Sequence, residues 1–415
     1  MTPLFRKFLG HNWILFLTMT GLLAFGVCAI YSASFMRTGE HAYLASYYKR
    51  QIVWILVGFA VYFAASLTDY RWVRWGAFPF YLAGIAGLTA VRFIGEVKSG
   101  ARSWIEIAGL SVQPSQIAIV GGIIALAVAL GELRRLHPVF ENPFLRLALT
   151  AGLVLAPLVL IILEPDIGSA FVWLPTVAFI LLLARIPLRY LFVITLLGVN
   201  LFPWAYVFGL DDYQRLRINV FQAYRQGESI LERDEGWDTR LFLVTIASGG
   251  AEGKGFLGNR IKAENADAQT LTEIGLLSPR VQINDYIFAV IAEQFGFRGC
   301  LLVITAFCLL LMLCLFVGFY SRDETGRLIV VGAVGMLFVH VFLNIGMTVL
   351  LVPVTGLPLP LVSYGGTFAV TCMFLLGMVQ SVWVHRRAQD ALSEDSLFYS
   401  PPEGKSLASP RTQFI

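Results

Sequence analysis

Apolar residues along this chain fall into long runs separated by short polar gaps, at about 13–34, 51–67, 73–93, 115–133, 145–163, 168–184, 188–210, 299–320, 328–354 and 364–384. A hydrocarbon core takes about 20 apolar residues per crossing helix, so the runs predict an all-α polytopic membrane protein with about ten transmembrane helices. An even number puts both termini on one side. Arg6 and Lys7, Arg71 and Arg74, Arg134, Arg135 and Arg146, Arg185 and Arg189, Arg322 and Arg327, and Arg386 and Arg387 fall at alternate connections. Cytoplasmic connections carry the excess of Lys and Arg, so both termini are expected in the cytoplasm.

Two stretches break the pattern. Residues 211–284 form one long polar segment between the seventh and eighth predicted helices, and this topology places it outside. It holds roughly a third of the charged residues, with both signs present, which argues against a simple polybasic lipid patch. Gly249-Gly250 and Gly253-Lys254-Gly255 supply tight turns there, and 222–231 has the pattern of a short amphipathic surface helix. A loop of this length in a compact protein generally has a function. The stretch 285–296 follows, apolar enough to enter a membrane yet containing Asp285, Glu293 and Gln294 and ending in glycine. Acidic groups in a membrane point at water or partners, so a broken or re-entrant helix beside an aqueous cavity is expected near 285–296. Residues 1–387 then make the transmembrane domain, and the polar 388–415 reads as a disordered cytoplasmic tail.

Composition sharpens this picture. Of 415 residues, 57% are hydrophobic and only 14% charged, against about a quarter charged in a soluble domain. A soluble enzyme with a single anchor is excluded. The first apolar run is too long, and too closely followed by others, for a cleaved signal peptide. Cys28, Cys300, Cys308, Cys314 and Cys372 all lie inside apolar runs without a CxxC pair, so neither a zinc site nor a disulfide scaffold is indicated. No Walker A motif is present, and the five histidines are scattered.

The candidate chemistry sits late in the chain. Asn344-Ile345-Gly346-Met347-Thr348 leads to Pro353-Val354-Thr355-Gly356-Leu357-Pro358-Leu359-Pro360 and then to Ser363-Tyr364-Gly365-Gly366-Thr367. This density of proline and glycine is incompatible with regular helix. At membrane depth such backbone must be buried in protein or line a cavity.

The run from Asn344 to Gly366 resembles the signature of the SEDS family, the shape, elongation, division and sporulation proteins of bacterial cell-wall synthesis, and its Pro-Val-Thr-Gly-Leu-Pro-Leu-Pro form resembles the RodA branch. The resemblance extends over nearly the whole chain. Gly100-Ala101-Arg102 with Trp104, and Gln113-Pro114-Ser115, are similar to the family's first outer loop and fourth helix. Glu164-Pro165-Asp166-Ile167-Gly168 matches its acid-Pro-Asp-hydrophobe-Gly turn. Asp212-Tyr213-Gln214-Arg215 with Arg217, and Ala247-Ser248-Gly249-Gly250 with Gly253-Lys254-Gly255, are similar to its large-loop motifs. Asp285-Tyr286-Ile287-Phe288-Ala289-Val290, followed by Glu293, resembles its catalytic segment.

The resemblance implies an inverting peptidoglycan glycosyltransferase that polymerises lipid II at the outer face of the bacterial cytoplasmic (inner) membrane during elongation and shape maintenance. Asp285 takes the essential acidic position, where a carboxylate within hydrogen-bond reach removes the proton of the attacking sugar hydroxyl. The lipid pyrophosphate leaving group calls for positive charge. Arg102, Arg215, Arg217 and Lys254 are the candidates, or a divalent cation (Mg or Mn) held by Asp285 and Glu293. Ser363 and Tyr364 are candidate substrate contacts, while Asp166, Pro358, Pro360, Gly365 and Gly366 are expected to shape the site. N-capping stands beside function for Asp166, as does structural hydrogen bonding for Glu293 and pairing with loop acids for the arginines. The implied partner is a class B penicillin-binding protein; nucleic acid is not expected. A flippase for lipid-linked precursor and a noncatalytic scaffold are the alternative functions.

The chain also departs from the family's pattern. On the fourth helix the usual Glu and Lys are Gln116 and Ile119. Losing one charge would strand the other, so their joint loss is coherent. The usual His-Thr before the catalytic aspartate is Ile283-Asn284, the loop from Arg260 to Arg280 is longer than typical, and Glu106 or Asn284 are the candidates to compensate.

Overall fold

The computed structural model describes residues 3–35, 46–98, 101–107, 110–136, 142–164, 166–184, 186–204, 212–226, 237–265, 269–274 and 279–387. In chain order, the short α1 (Pro3–Leu9) precedes α2 (Trp13–Phe35), α3 (Tyr47–Leu67) and α4 (Val73–Ile94). Strands β1 (Glu96–Lys98), β2 (Ala101–Ile107) and β3 (Leu110–Val112) follow, then α5 (Pro114–Leu136), α6 (Pro143–Leu163), α7 (Ile167–Leu183) and α8 (Leu188–Trp204). The long polar segment contributes α9 (Asp212–Arg225), α10 (Trp237–Gly249), α11 (Asn259–Glu264), α12 (Leu271–Ile274) and α13 (Pro279–Asn284). The chain then closes with α14 (Ile287–Phe319), α15 (Glu324–Thr348) and α16 (Gly366–Val384).

Among the described residues, eight helices are long and apolar enough to cross a membrane, and Ile167–Leu183 and Leu188–Gly198 are shorter apolar helices. The polytopic helical architecture is therefore as the runs predict. Helix ends differ from the runs where a local group decides. The Asp323 carboxylate accepts from Gly326 N at 3.1 Å and starts α15 before the apolar run begins, at Glu324. At the other end α15 stops at Thr348, ahead of Pro353. Of the amphipathic stretch expected at 222–231, residues 222–225 are the end of α9, while 227–231 lies outside the described residues, as does the tail 388–415.

The three short strands were not expected. They pair antiparallel in the order β1-β2-β3, with Glu96 opposite Trp104 and Ile105 opposite Val112. With only three residues in each outer strand, too little alternation exists to read. The sheet delivers the chain to the start of α5, and Thr367 Oγ1 of α16 donates to Ser111 O at 3.4 Å.

Helix α5 is the axis of the bundle, packed against α4, α7 and α15. Within lipid the drive for helices to meet is close packing, which small residues permit. A Cβ on Gly84 would lie 2.7 Å from Ala118 Cα, one on Gly131 2.8 Å from the Thr325 backbone, and one on Gly332 2.4 Å from Ile123 Cγ2. These contacts set α15 antiparallel to α5. The outer flanks of α3, α4 and α6 carry exposed Leu56, Trp75, Phe78 and Leu155, the surface a lipid solvent requires.

Candidate active site

The expected broken helix is present, and its break builds the site. Within α14, Gly296 has φ 62° and ψ −163°, so the helix stops and restarts there. A broken helix leaves carbonyls unpaired on one side and N–H groups on the other. The glycine-rich segment after α10 satisfies both sets. Lys254 N and Gly255 N donate to Glu293 O and Gln294 O at 2.9 Å each, while Phe297 N and Arg298 N donate to Gly250 O and Ala251 O at 2.9 and 3.2 Å. The approach is so close that a Cβ on Gly253 would sit 2.1 Å from Gln294 O.

The same contact fixes Glu293 and Lys254. Glu293 is fully buried. Its carboxylate accepts from Lys254 Nζ at 2.7 Å, from Leu271 N at 2.6 Å, and from Thr272 through both its N at 3.2 Å and its hydroxyl. It thus pairs with the lysine and caps α12, tying the long loop to the broken helix. Six residues of α14, about 9 Å of helix rise, separate it from the start of the helix at Ile287, and Asp285 lies ahead of that start. The two acids do not fit as joint ligands of one cation, and Lys254 points its charge at Glu293.

Asp285 sits just ahead of α14 and is held from three sides. Asn344 Nδ2 of α15 donates to Asp285 O and to Leu357 O, both at 2.7 Å. Tyr364 N donates to Ile283 O at 2.9 Å. The Tyr286 ring stacks on Phe242 of α10, with centroids 3.4 Å apart and planes within 6°. The residue is half-buried. Its Oδ2 lies 3.6 Å from the point where a Cβ on Gly356 would be, and Arg217 Nη1 lies 3.8 Å from the same point. Gly356, at φ 68°, is thus the gap across which acid and guanidinium face each other. Arg217 Nη1 also donates to Val354 O at 3.3 Å, which anchors α9 to the Pro-Gly loop. Burial pushes the Asp285 carboxyl up to about 7, with Arg217 pulling it back down. A base poised near neutrality is what proton abstraction from a hydroxyl requires.

The Pro-Gly loop is shaped by its own motif. Leu359 N donates to Ser363 Oγ at 2.8 Å and Ser363 N to Leu359 O at 2.9 Å, closing the turn that holds Pro358 and Pro360. Gln51 of α3 brackets the next residues, accepting from Gly365 N at 3.3 Å and donating to Ser363 O at 3.4 Å. Tyr364 packs edge-on against Tyr47, and a Cβ on Gly366 would meet Trp54 Nε1 at 2.1 Å. Ser363 is thus placed as a turn-former. Asp166 N-caps α7, accepting from Ser169 N at 3.0 Å, and also accepts from Ser169 Oγ, Gln113 Nε2 and Ser115 Oγ at 2.7, 3.0 and 3.3 Å. The turn it holds packs on the loop, with the Cβ position of Gly168 2.8 Å from Thr355 O.

The three candidate cations with described side chains are therefore not gathered together. Arg217 faces Asp285, and Lys254 is at Glu293. Arg215 is two positions along α9, where helix geometry turns it to a different side. Arg102 is in β2, opposite Val97, and its side chain lies outside the described residues. Gln116 and Ile119 are buried in α5, Glu106 is exposed on β2, and Asn284 adjoins Asp285. Sequence reasoning missed Asn344 and Gln51 as positioning groups. Both are amides inside apolar helices, and the cost of burying an unpaired amide is the signal that marks them.

Residues 12–388 match the profile of the family described as cell cycle protein, covering FtsW, RodA and SpoVE. The chain is 29% identical to the peptidoglycan glycosyltransferase MrdB of Escherichia coli (strain K12) over 89% of this chain and 93% of that one. It is 27% identical to the peptidoglycan glycosyltransferase RodA of Treponema pallidum (strain Nichols) over 89% and 97%. Among solved structures, a chain of a peptidoglycan synthase complex, described as coordinating polymerization and crosslinking, superposes with a TM-score of 0.72 at 28% identity, covering 91% of this chain and 98% of that one. The crystal structure of the rod shape determining protein RodA of Thermus thermophilus gives a TM-score of 0.63 at 28% identity over 91% and 97%.

Proposed function

The chain belongs to the FtsW, RodA and SpoVE family of cell cycle proteins, and from that premise we propose that it is a peptidoglycan glycosyltransferase in which Asp285 is the general base. The observation that carries the assignment is Asp285, half-buried just ahead of α14, with its carboxylate facing Arg217 across Gly356. The substrate is lipid II as donor and acceptor. The acceptor hydroxyl loses its proton to Asp285 as its oxygen attacks the anomeric carbon of the donor. The bond from that carbon to the pyrophosphate oxygen breaks, and the electron pair leaves with the lipid pyrophosphate. Arg217, with Arg215 and Arg102 as further candidates, stabilises the charge that develops there. A single in-line displacement converts an α-linked donor to a β-linked product.

The polymerase acts at the outer face of the cytoplasmic membrane, with both termini cytoplasmic, as the alternate placement of Arg and Lys supports. A class B penicillin-binding protein is the proposed partner, supported by the likeness to a chain of a peptidoglycan synthase complex. Gln116 and Ile119 motivate the scaffold reading, in which the chain positions that partner without catalysis.

Purified protein in detergent, given lipid II, is expected to build glycan chains, and Asp285→Ala to lose at least about a hundredfold in rate, in the range general-base removal costs. Asp285→Ala polymerising at the parent rate would remove the base assignment. Flipping of labelled lipid II in liposomes without polymerisation would favour transport. Normal wall growth in cells carrying Asp285→Asn would favour the scaffold.

A further inference from the structure

Directly behind Asp285, the interface of α5 and α15 holds buried polar atoms that the mechanism above does not use. Gln116 is 2% exposed, and neither its Nε2 nor its Oε1 has a hydrogen-bond partner. His340 is fully buried with Nε2 unpartnered, and Asn344 is fully buried with Oδ1 unpartnered. Leaving buried groups of this kind without a partner is costly.

The packing register brings them to one level. Gly131 meets Thr325 and Gly332 meets Ile123, so α5 and α15 run past each other in opposite directions. From Ile123, seven residues toward the site reach Gln116; from Gly332, eight reach His340. Each step is two helical turns, about 11 Å of rise, so the two residues arrive together. Asn344 lies four residues beyond His340 on the same face. Ile119, fully buried one turn deeper, forms an apolar floor, and the Phe368 ring covers His340 with centroids 4.8 Å apart.

Donors and acceptors can be counted at this level. His340 Nδ1 faces Met336 O at 2.9 Å, and a carbonyl only accepts, so Nδ1 carries the proton of the neutral ring and Nε2 is an acceptor. Asn344 Nδ2 faces two carbonyls, which fixes Oδ1 as its other end. Gln116 adds one acceptor and one NH₂ donor group. Three acceptors and one NH₂ group with two N–H donors thus lie near one level with no direct hydrogen bond among them, and a molecule that donates twice and also accepts can join the Gln116 amide to both acceptors of α15. A buried water makes about three hydrogen bonds to otherwise unsatisfied groups.

We propose that α5 and α15 enclose a bound water held by the Gln116 amide, His340 Nε2 and Asn344 Oδ1, and that this water positions Asn344 and, through it, the backbone of Asp285. The water site stands on packing alone; its effect on turnover rests on Asp285 being the base. It also accounts for the two departures on α5: a neutral amide at 116 over an apolar 119 suits a neutral network, where an ion pair would need neither water nor imidazole. Gln116, His340 and Asn344 are positioning residues, since none touches the reacting atoms.

The test joins a structure to kinetics on the full chain. A high-resolution crystal structure of the parent is expected to show density in contact with all three side chains; an apolar gap there would overturn the site. His340→Phe and Gln116→Leu are each expected to lower kcat about five- to tenfold with KM unchanged, because a displaced base loses orientation rather than binding. The double variant is expected to be no slower than either single one, since both act through one water, whereas independent roles would multiply. His340→Gln, which keeps an acceptor, is expected to recover most of the rate. Single variants that turn over at the parent rate while Asp285→Ala is inert would sink the positioning role alone. Density with an active Asp285→Ala would leave the water in place and remove the base it was to position.

Discussion

Replacing Arg217 by Met is expected to move the pH dependence of polymerisation to higher pH. Among the described residues, the Arg217 guanidinium is the charge that lowers the Asp285 carboxyl, opposing the burial that raises it to about 7. Both groups lie within 4 Å of one point on Gly356, so their separation is at most about 7 Å, and a unit charge at that distance contributes about 2 kcal/mol at an effective dielectric constant of about 20. Solvent reaching the half-buried arginine screens part of this, leaving a shift of about one pKa unit. The sign follows from the charge. Removing a cation disfavours the carboxylate, so its pKa rises and the deprotonated base is populated only at higher pH. The assay is the initial rate of lipid II polymerisation by parent and Arg217→Met between about pH 5 and 10, read as kcat/KM, which reports groups of the free enzyme. The acid limb is expected to move from about 7 to about 8, with the variant about tenfold slower below the limb than its deficit above it. A limb that stays in place while the rate falls equally at every pH would refute the coupling and leave Arg217 with a role in binding alone.

Two further outcomes follow from the same geometry. Glu293→Gln strands Lys254, itself only 15% exposed, and is expected to cost about 3–5 kcal/mol, read as a lowered thermal unfolding midpoint in detergent; pairing it with Lys254→Met is expected to restore part of the loss. Gly356→Ala puts a methyl between Asp285 and Arg217 at a positive φ; it is expected to cost about 1–2 kcal/mol of stability and to reduce polymerisation at least about tenfold, as measured by the same lipid II assay.

Much of this fold is legible because bilayer physics is coarse. A run of apolar residues in a low-charge chain has few ways to satisfy its backbone, and the turn at Asp166 and the break after Gln294 are marked by residues that helices avoid or use as caps. The short sheet left no readable periodicity. Asp285 was legible as the candidate base only through motif resemblance, because Asp285 and Glu293 share one short apolar stretch. Their difference is tertiary. It depends on Lys254 and Thr272 arriving from a loop whose path the local pattern does not specify. Similarly, four cations were candidates for one leaving group, and only the folded loop separates Arg217 at Asp285 from Lys254 at Glu293.

That separation explains how one buried segment carries two acids with opposite duties. A carboxylate has about four acceptor positions. Those of Glu293 are met by an ammonium, two backbone N–H groups and a hydroxyl, so it stabilises structure and has no free position from which to take a proton. Among the described residues, no donor hydrogen-bonds the Asp285 side chain, while its backbone is clamped through Asn344. A carboxylate can be left open yet in place only where the surroundings fix the backbone that carries it. Here they do. The break at Gly296, the glycine-rich segment that seals it, the cap at Asp166 and the Gln51 bracket all converge on the Pro-Gly loop or on α14. The motifs scattered along the chain are thus parts of one clamp that fixes the backbone beneath the Asp285 carboxylate.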